Sequence, residues 1–346
     1  MEDTIRQSPG QFVAGLRAAE QVALPAGRFS HILLAGLGGS WMAGALVREA
    51  QLTSVPITIH RSYDLPRALP SGTLVIASSF SGNTEETLSA YAAARSAGLP
   101  LLGIAAGGEL EKRCTQDGIP FLKIPADPPT MQPRSATGYG VGILAQVLAR
   151  LGCATPDAVS AVGTLGASLQ QAMEPARARA ETLVPPLVQA TPIIYASDRF
   201  ETVARIWKIK INENAKTAAF SNVFPELNHN EMIGWSKIPR SRLPAEALAK
   251  AGGEGRSQPH GAFHIILLRD PADHPRIQKR FDITLALLQE KGISSSIVPI
   301  TGASLPEKIF STLLLGDWMS TLLALALGIN PSPVPMVEDL KRRLKE

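Results

Sequence analysis

The sequence is short of cysteine, of clustered charge and of long apolar runs. Its 346 residues include two cysteines, Cys114 and Cys153, which are far apart and form no C-x-x-C pair. A reduced protein of the cytoplasm is therefore expected. No apolar run reaches the roughly 18 residues of a membrane span. Asp317 interrupts the most apolar stretch, 309–329, which is predicted to be a buried helix.

The charged residues form no stripe of one sign. Lys and Arg exceed Asp and Glu by four, and the isoelectric point is about 9.1. This mild imbalance favours a solvated surface over nucleic-acid binding. Residues 1–6 lack an apolar core, so no signal peptide is expected.

Strands alternate with helices along the chain, which predicts an α/β protein with parallel sheets and helices on both faces. A strand–loop–helix pattern occurs twice, at 31–50 and at 192–211. The length also suggests two domains. We predict an N-terminal subdomain over 1–153, a helical connector over 154–190 and a C-terminal subdomain over 191–346.

Three finer predictions concern the connector and the second half. The helical stretch 158–188 is expected to break near Pro175 and Pro185. The polar stretch 221–234 is predicted to be irregular, and 239–254 is predicted to form a helix.

A cluster of hydroxyls follows the apolar run 73–77. The cluster is Ser79-Phe-Ser81-Gly-Asn-Thr84, and a helix-forming stretch begins at residue 85. A strand, a hydroxyl loop and a helix N-terminus together direct free N–H groups at an anion. One hydroxyl would suffice for N-capping, whereas three around a glycine favour phosphate binding. No GxxxxGK[ST] motif occurs, so a nucleoside triphosphate is not implied.

A glycine-rich loop, Gly36-Leu-Gly38-Gly39-Ser40, follows the first predicted strand. A dinucleotide-binding G-x-G-x-x-G motif is disfavoured because its third glycine falls on Trp41. The next strand, over 56–60, also ends in His60-Arg61 rather than in an acid. The glycines favour close passage of the backbone past a ligand, with a structural tight turn as the alternative.

The six histidines include no HExxH motif. His260 and His264 are four residues apart, but they run from a loop into a strand, where that spacing does not align two ligands. His229-Asn-Glu231 matches the H-x-E of zinc deaminases, whose P-C-x-x-C partner is missing. No metal site is therefore expected.

Glu213 and His229 each lie between two asparagines, in Asn212-Glu-Asn214 and Asn228-His-Asn230. A carboxylate that abstracts a proton and an imidazole that opens a sugar ring would be sensible partners. The alternatives are a surface acid and a hydrogen-bonded structural histidine. The residues by themselves leave both interpretations open.

Five motifs together resemble one family, the bifunctional phosphoglucose/phosphomannose isomerases of the sugar isomerase (SIS) superfamily. The hydroxyl loop identifies only the superfamily, whereas the NENAK-type and NHNE-type motifs are more specific. The resemblance runs from about residue 30 to the C-terminus. The five motifs are Gly36-Leu-Gly-Gly-Ser40, Ser79-Phe-Ser-Gly-Asn-Thr84, Asn212-Glu-Asn-Ala-Lys216, Glu226-Leu-Asn-His-Asn-Glu231 and Leu315-Gly-Asp-Trp318.

The resemblance implies two SIS subdomains, each a parallel sheet flanked by helices, in a homodimer that shares its active site between subunits. It implies no metal and no organic cofactor. By motif, the substrate phosphate would be held by five residues: Gly39, Ser40, Ser79, Ser81 and Thr84.

The resemblance also implies roles for five further residues. Glu213 would be the base that moves a proton between C1 and C2. His229, expected from the partner subunit, would assist ring opening together with Lys308. Arg134 would face the developing enediolate, and Thr301 would leave room for either configuration at C2.

The implied function is isomerisation between glucose 6-phosphate and fructose 6-phosphate, and between mannose 6-phosphate and fructose 6-phosphate. Such an enzyme would act in glycolysis and gluconeogenesis, with no nucleic-acid or membrane partner. The alternatives are an SIS isomerase for an amino-sugar phosphate and a non-catalytic SIS sensor of sugar phosphates. A sensor would need the hydroxyl loop but not Glu213, His229 and Lys308 together.

Overall fold

A computed structural model describes residues 1–127, 131–237 and 263–344. The chain divides into two compact units. The first comprises Met1–Glu174 and Gly302–Leu314, and the second comprises Pro175–Thr301 and Leu315–Glu346. The predicted division into 1–153, 154–190 and 191–346 stays a prediction. Lys308 belongs to the first unit by its contacts, although it comes late in the chain.

The first unit contains a five-stranded sheet in which every pairing is parallel. Its strands are β1 His31–Ala35, β2 Ile57–His60, β3 Thr73–Ser78, β4 Leu101–Ala105 and β5 Phe121–Lys123. Helices lie before, between and after them: α1 Glu2–Gln7, α2 Gly10–Ala18, α3 Gly39–Glu49, α4 Glu85–Ser96, α5 Gly108–Asp117 and α6 Thr137–Arg150.

The order of strands in this sheet is β2-β1-β3-β4-β5. Both β1 and β3 are buried along their whole length, which explains their continuous apolar sequences. The order reverses between β1 and β3, because the chain runs from β1 outward to β2 and then back to β3. A crevice therefore opens at the carboxyl ends of β1 and β3, which is where ligands bind in such sheets.

The second unit contains a four-stranded parallel sheet of order β7-β6-β8-β9. Its strands are β6 Thr191–Ser197, β7 Phe220–Phe224, β8 Phe263–Arg269 and β9 Ser294–Pro299. Its helices are α8 Glu201–Ala215, α9 Pro275–Glu290 and α11 Pro335–Arg343. The α/β prediction with two parallel sheets is confirmed.

The prediction that 221–234 is irregular is wrong at its start. Residues Phe220–Phe224 form β7, the edge strand that pairs in parallel with β6. An edge strand needs little apolar sequence, because only one side of it is paired and its faces are partly open to solvent. Beyond it, the chain does form two short 3₁₀ turns, Glu226–Asn228 and Glu231–Lys237. The helix predicted over 239–254 lies outside the described residues.

The expected break at Pro175 is also wrong. Helix α7, Ala158–Leu183, continues through Pro175 and ends before the 3₁₀ turn Pro185–Leu187. A proline inside a helix removes one N–H donor, a cost that the packing of a long helix can offset. Helix α10, Leu305–Ala326, is long and apolar enough to cross a membrane, but 72% of its most apolar window is buried inside the protein. This agrees with the predicted buried helix.

One buried histidine lies in each sheet. In the first, His31 on β1 lies between the hydroxyls of Thr73 and Thr58, 2.9 Å from each. In the second, His264 on β8 contacts Ser294 Oγ at 2.8 Å and Ser296 Oγ at 2.9 Å. Burial lowers the pKa of both imidazoles. Each ring is therefore a structural part of its sheet, held in its neutral form.

We expect the protein to lose stability as the pH falls from about 7.5 to about 5. In the unfolded chain these histidines bind protons near pH 6.5, whereas in the folded chain they bind protons only at lower pH. The sign follows from the lowered pKa: the unfolded state gains the protons, so acid favours it. Thermal unfolding midpoints across this range would measure the slope. A double variant, His31→Gln with His264→Gln, should flatten it; an equal slope in that variant would contradict the assignment.

Candidate active site

The glycine-rich loop and the hydroxyl loop meet at the crevice of the first sheet. The first follows β1 and leads into α3, and the second follows β3 and leads into α4. Ser40 joins them, because its Oγ accepts the backbone N–H of Phe80 at 2.9 Å. Both helices begin at this edge of the sheet, so their N-terminal ends face the same crevice.

The three hydroxyls of the second loop have different surroundings. Ser79 is fully buried, and its Oγ lies 2.8 Å from Thr84 Oγ1 and accepts the Thr84 N–H at 3.4 Å. Thr84 is half-buried at the start of α4, whereas Ser81 is exposed and accepts the N–H of Asn83 at 3.2 Å. The exposed Ser81 hydroxyl is thus the one most accessible to a ligand, and Ser79 supports the loop from within.

Gly82 gives this loop its shape. Its φ is +70°, a left-handed conformation that L side chains rarely adopt. A Cβ at this position would lie 1.7 Å from the carbonyl oxygen of Gly107. The loop therefore packs backbone to backbone against the segment that precedes α5, and only glycine fits.

Arg134 is held beside the glycine-rich loop. It lies in the 3₁₀ turn Pro133–Ser135 and is 2% exposed. A Cβ on Gly39 would lie 2.4 Å from the carbonyl oxygen of Pro133, so the turn packs directly on the start of α3. This close packing sets the backbone of the turn that carries the buried Arg134 directly against the loop that contains Ser40.

Trp41 follows Ser40 and is buried, with the guanidinium of Arg61 stacked 5.1 Å from the centre of its ring. Arg61 directly follows His60, the last residue of β2. The backbone N–H of Gly36 donates to the carbonyl oxygen of His60 at 3.0 Å. Trp41 is thus a buried residue of α3 whose ring packs against the Arg61 guanidinium. The sequence had offered no reason for a bulky residue at this position.

Glu213 lies in the last turn of α8 and is half-buried. The helix ends at Lys216, whose φ is +52° and whose ammonium donates to the carbonyl oxygens of Glu213 at 2.7 Å and Asn214 at 3.3 Å. Asn212 Nδ2 donates to the carbonyl of Thr217 at 2.8 Å. These contacts satisfy the helix end through backbone groups and neighbouring side chains.

The same helix is fixed along its buried side by α10. Gly316 lets the indole of Trp207 approach so closely that a Cβ would lie 2.6 Å from its Nε1. The buried Lys210 forms an ion pair with the half-buried Asp317, and Asn214 Nδ2 donates to Ser320 Oγ at 2.9 Å. The Leu315-Gly-Asp-Trp318 motif therefore orients the helix that carries Glu213.

His229 lies between the two 3₁₀ turns that follow β7, and its side chain is exposed. It lies on a groove of about 370 Å³ whose apolar lining includes Met232, Ile233 and Leu287. Ile233 is 76% exposed, an unusual position for a large apolar side chain.

The predicted residues fall into two sets. The first unit contains Lys308, Arg134 and the predicted phosphate-binding residues, and the second contains Glu213, His229 and Thr301. Lys308 lies in the first turn of α10. Gly302 packs so closely against this turn that a Cβ on Gly302 would lie 2.6 Å from the backbone nitrogen of Lys308. Thr301 is exposed just before this glycine.

The crevice at the second sheet's switch point is occupied by an ion-pair cluster that sequence reasoning missed. Arg199, after β6, donates to Asp273 Oδ1 at 2.9 Å and to Asp270 Oδ2 at 3.4 Å. Ser197 Oγ donates to Asp273 at 3.0 Å, and burial raises the pKa of this carboxyl. The only sequence signal was the Asp270-Pro-Ala-Asp273 run. Ser197 and Arg199 thus bind Asp273 through its Oδ1, and side chains rather than an open hydroxyl loop occupy this crevice.

No group of three or more His, Cys, Asp or Glu side chains suited to a metal occurs among residues 1–127, 131–237 and 263–344. The hydroxyls, amides and guanidinium of the first unit suit an anion. The half-buried carboxylate of Glu213 suits proton abstraction, and the exposed imidazole of His229 suits proton transfer to or from a ligand oxygen.

Known proteins similar to this chain include both sequence relatives and solved structures. A family profile described as the bacterial phospho-glucose isomerase C-terminal SIS domain matches residues 176–344. A bifunctional phosphoglucose/phosphomannose isomerase from Caldicellulosiruptor bescii is 36% identical over 326 residues, covering 91% of this chain and 89% of the relative. One from Thermoplasma acidophilum is 32% identical over 320 residues, covering 92% and 91%.

The fold has counterparts at much lower sequence identity. The crystal structure of a hypothetical protein from Thermus thermophilus superposes with a TM-score of 0.73 at 16% identity, covering 99% of this chain and 89% of that one. At this identity the likeness concerns the fold alone.

Proposed function

The chain belongs to the family of bifunctional phosphoglucose/phosphomannose isomerases, and from this premise we propose that it converts fructose 6-phosphate reversibly into glucose 6-phosphate and mannose 6-phosphate. It is thus an isomerase with SIS domains, as the motifs indicated. The observation that carries the proposal is that one chain presents both requirements of the reaction. It has an anion-binding crevice at a sheet switch point and a carboxylate base at a fixed helix end.

The crevice of the first sheet binds the phosphate in this proposal. The Gly39 backbone and the hydroxyls of Ser40, Ser81 and Thr84 surround the anion, with Ser79 bracing the loop. Two helix N-termini add their partial positive charge. The phosphate takes no part in the chemistry, and its binding energy orients the reacting carbons.

Glu213 is the base that moves the proton between C1 and C2. Exchange between an aldose and a ketose passes through a cis-enediol, so one carboxylate on one face serves both proton steps. Negative charge develops on the enediolate oxygen, and the Arg134 guanidinium faces it. Proton transfer of this kind needs no metal or organic cofactor, so activity should survive prolonged dialysis against EDTA; its loss would contradict this part of the proposal.

His229 and Lys308 assist opening of the sugar ring, by proton transfer to and from the ring oxygen and the anomeric hydroxyl. Thr301 leaves room for either configuration at C2. Rotation about the C2–C3 bond then lets a single base form both aldoses. Replacing Thr301 with a larger residue, such as Met, should lower the share of one aldose product; an unchanged product ratio would remove Thr301 from this role.

A homodimer is the proposed assembly, with His229 reaching the active site of the partner subunit. Its exposure on a groove rimmed by Ile233 and Leu287 supports this, because large apolar side chains left open on a surface are typical of interfaces. Light scattering at assay concentration should give the mass of two chains. A mass of one chain in an active sample would contradict the shared site.

The cytoplasm is the proposed location, with a role in glycolysis and gluconeogenesis. Growth of a strain lacking its own phosphoglucose isomerase, restored by cytoplasmic expression of this chain, would test the metabolic role. No rescue by an expressed, active protein would count against that role.

The proposed activity is tested with purified protein and fructose 6-phosphate, by measuring glucose 6-phosphate and mannose 6-phosphate separately. Both products are expected. Binding without either product would favour a sugar-phosphate sensor. Turnover of glucosamine 6-phosphate, with neither glucose 6-phosphate nor mannose 6-phosphate formed from fructose 6-phosphate, would favour an amino-sugar isomerase.

We expect Ser81→Ala to raise KM for fructose 6-phosphate several-fold with little change in kcat, because the exposed hydroxyl binds a group that takes no part in the chemistry. Steady-state kinetics measures this. Ser96→Ala, an exposed serine at the other end of α4, is the matched control and should leave KM unchanged. Equal KM values for all three proteins would remove Ser81 from the phosphate site.

A further inference from the structure

The segment that carries His229 has little regular structure of its own. Two short 3₁₀ turns, Glu226–Asn228 and Glu231–Lys237, flank the histidine. Such turns contain few internal hydrogen bonds and those have poor geometry. The position of the exposed imidazole must therefore be set by side chains that tie the segment to the rest of its unit.

Glu231 forms the principal hydrogen bonds between the C-terminal side of this segment and the sheet. Its Oε1 accepts the hydroxyl of Tyr195 at 2.5 Å, and its Oε2 accepts the amide of Asn222 at 2.5 Å. Tyr195 lies on β6 and is fully buried, and Asn222 lies on β7. Both oxygens of one carboxylate are thus held by donors from two neighbouring strands, a strong and directional arrangement.

Trp235 adds a further hydrogen bond to Tyr195, because its Nε1 donates to the Tyr195 hydroxyl oxygen at 3.1 Å. Burial, together with the hydrogen bond to Glu231, raises the pKa of Tyr195, so the phenol remains a donor. Tyr195 and Trp235 both belong to the buried core of the second unit. The second 3₁₀ turn is therefore anchored at two positions to the interior of the sheet.

Separate hydrogen bonds hold the N-terminal side of the segment that carries His229. Asn228 Nδ2 donates to Thr284 Oγ1 at 3.0 Å, and its Oδ1 accepts from Arg280 at 3.1 Å. Thr284 and Arg280 lie one turn apart on α9, so this asparagine is bound to one helix face. His229 thus lies one residue from Asn228, which is hydrogen-bonded to α9, and two residues from Glu231, which is hydrogen-bonded to β6 and β7.

We propose that Glu231 is a positioning residue for His229: it holds the turn against β6 and β7, so that the imidazole is presented in one place. The inference rests on the proposed function, in which His229 assists ring opening. Displacement of a catalytic group by about 1 Å can cost on the order of 100-fold in rate. If Glu231 loses one hydrogen bond to the sheet while Asn228 stays bound to α9, the rate should fall by less than that.

Glu231→Gln is the informative variant, because the amide keeps the size and shape of the side chain. The amide can accept only one of the two hydrogen bonds that the carboxylate accepts, so either the Tyr195 hydroxyl or the Asn222 amide loses its acceptor. We expect kcat to fall about tenfold or more, while KM changes less than about twofold, since the phosphate crevice is unaffected. Glu226→Gln is the matched control in the same segment. Its amide oxygen can still accept the Asn230 side chain that Glu226 binds at 2.7 Å, so kcat should stay near wild type.

A double variant separates positioning from general damage. If Glu231 acts through His229, then His229→Ala with Glu231→Gln should be no slower than His229→Ala alone. If the two losses multiply, or if Glu231→Gln keeps wild-type kcat, the inference is wrong and the proposed function stands. If wild-type protein forms neither aldose from fructose 6-phosphate in the same assay, the proposed function fails, and the inference fails with it.

Discussion

Glu213→Gln is expected to lower kcat for fructose 6-phosphate by roughly 10²–10⁴, because the amide cannot take the proton that must move between C1 and C2. KM should change little, since the proposed phosphate site lies on other residues. The fold should be retained: the contacts of Lys216 and Asn214 with the helix end use backbone groups and other side chains. Unfolding midpoints of variant and wild type should therefore agree within a few degrees.

Glu201→Gln is the matched control for this variant. Glu201 is an exposed acid in the first turn of the same helix, α8, and changing it removes the same charge from the same element. Its kcat should equal that of the wild type. A Glu213→Gln protein that stays within about tenfold of the wild type would exclude Glu213 as the base.

Gly82→Ala is expected to cost at least about 100-fold in kcat/KM, because the hydroxyl loop cannot keep its shape around a side chain there. The added Cβ meets the carbonyl oxygen of Gly107 at 1.7 Å, and the residue would also have to hold a φ of +70°. Backbone atoms cannot yield as a flexible side chain can. The free energy of unfolding should fall by about 2 kcal/mol or more.

Gly98→Ala isolates the effect of the backbone conformation. Gly98 follows α4 with a φ of +65°, and nothing lies within 4 Å of an added Cβ. This variant should lose about 1 kcal/mol of stability from the left-handed conformation alone and keep its activity. If the two variants lose the same stability and the same activity, the contact with Gly107 does not shape the site.

Much of the first unit is predictable because its strands are short apolar runs that each end in a polar or glycine-rich loop. β1 and β3 are buried on both faces, so their sequences carry no polar interruption. β7 was not predictable for the opposite reason. As an edge strand with the sequence Phe-Ser-Asn-Val-Phe, it owes its structure to pairing with β6 rather than to its own residues.

The candidate site shows the same limit. Motifs identified the hydroxyls of the loop after β3, but nothing in the sequence distinguishes the buried Ser79 from the exposed Ser81. That difference arises from the turn at Gly82 and from contact with the segment before α5. Likewise, Glu231 was visible only as part of a motif. Its partners Tyr195 and Asn222 lie 36 and nine residues away in sequence, and the pairing of β6 with β7 sets them side by side.

Proton transfer through an enediol by a carboxylate base is tested most directly by converting fructose 6-phosphate in D₂O and locating deuterium in the products by NMR. We predict glucose 6-phosphate and mannose 6-phosphate, each carrying solvent deuterium at C2, since a carboxylic acid exchanges its proton with solvent. Aldose products that still lack deuterium at C2 after repeated reversible turnover to equilibrium would favour a hydride shift and would contradict the assigned chemistry of Glu213.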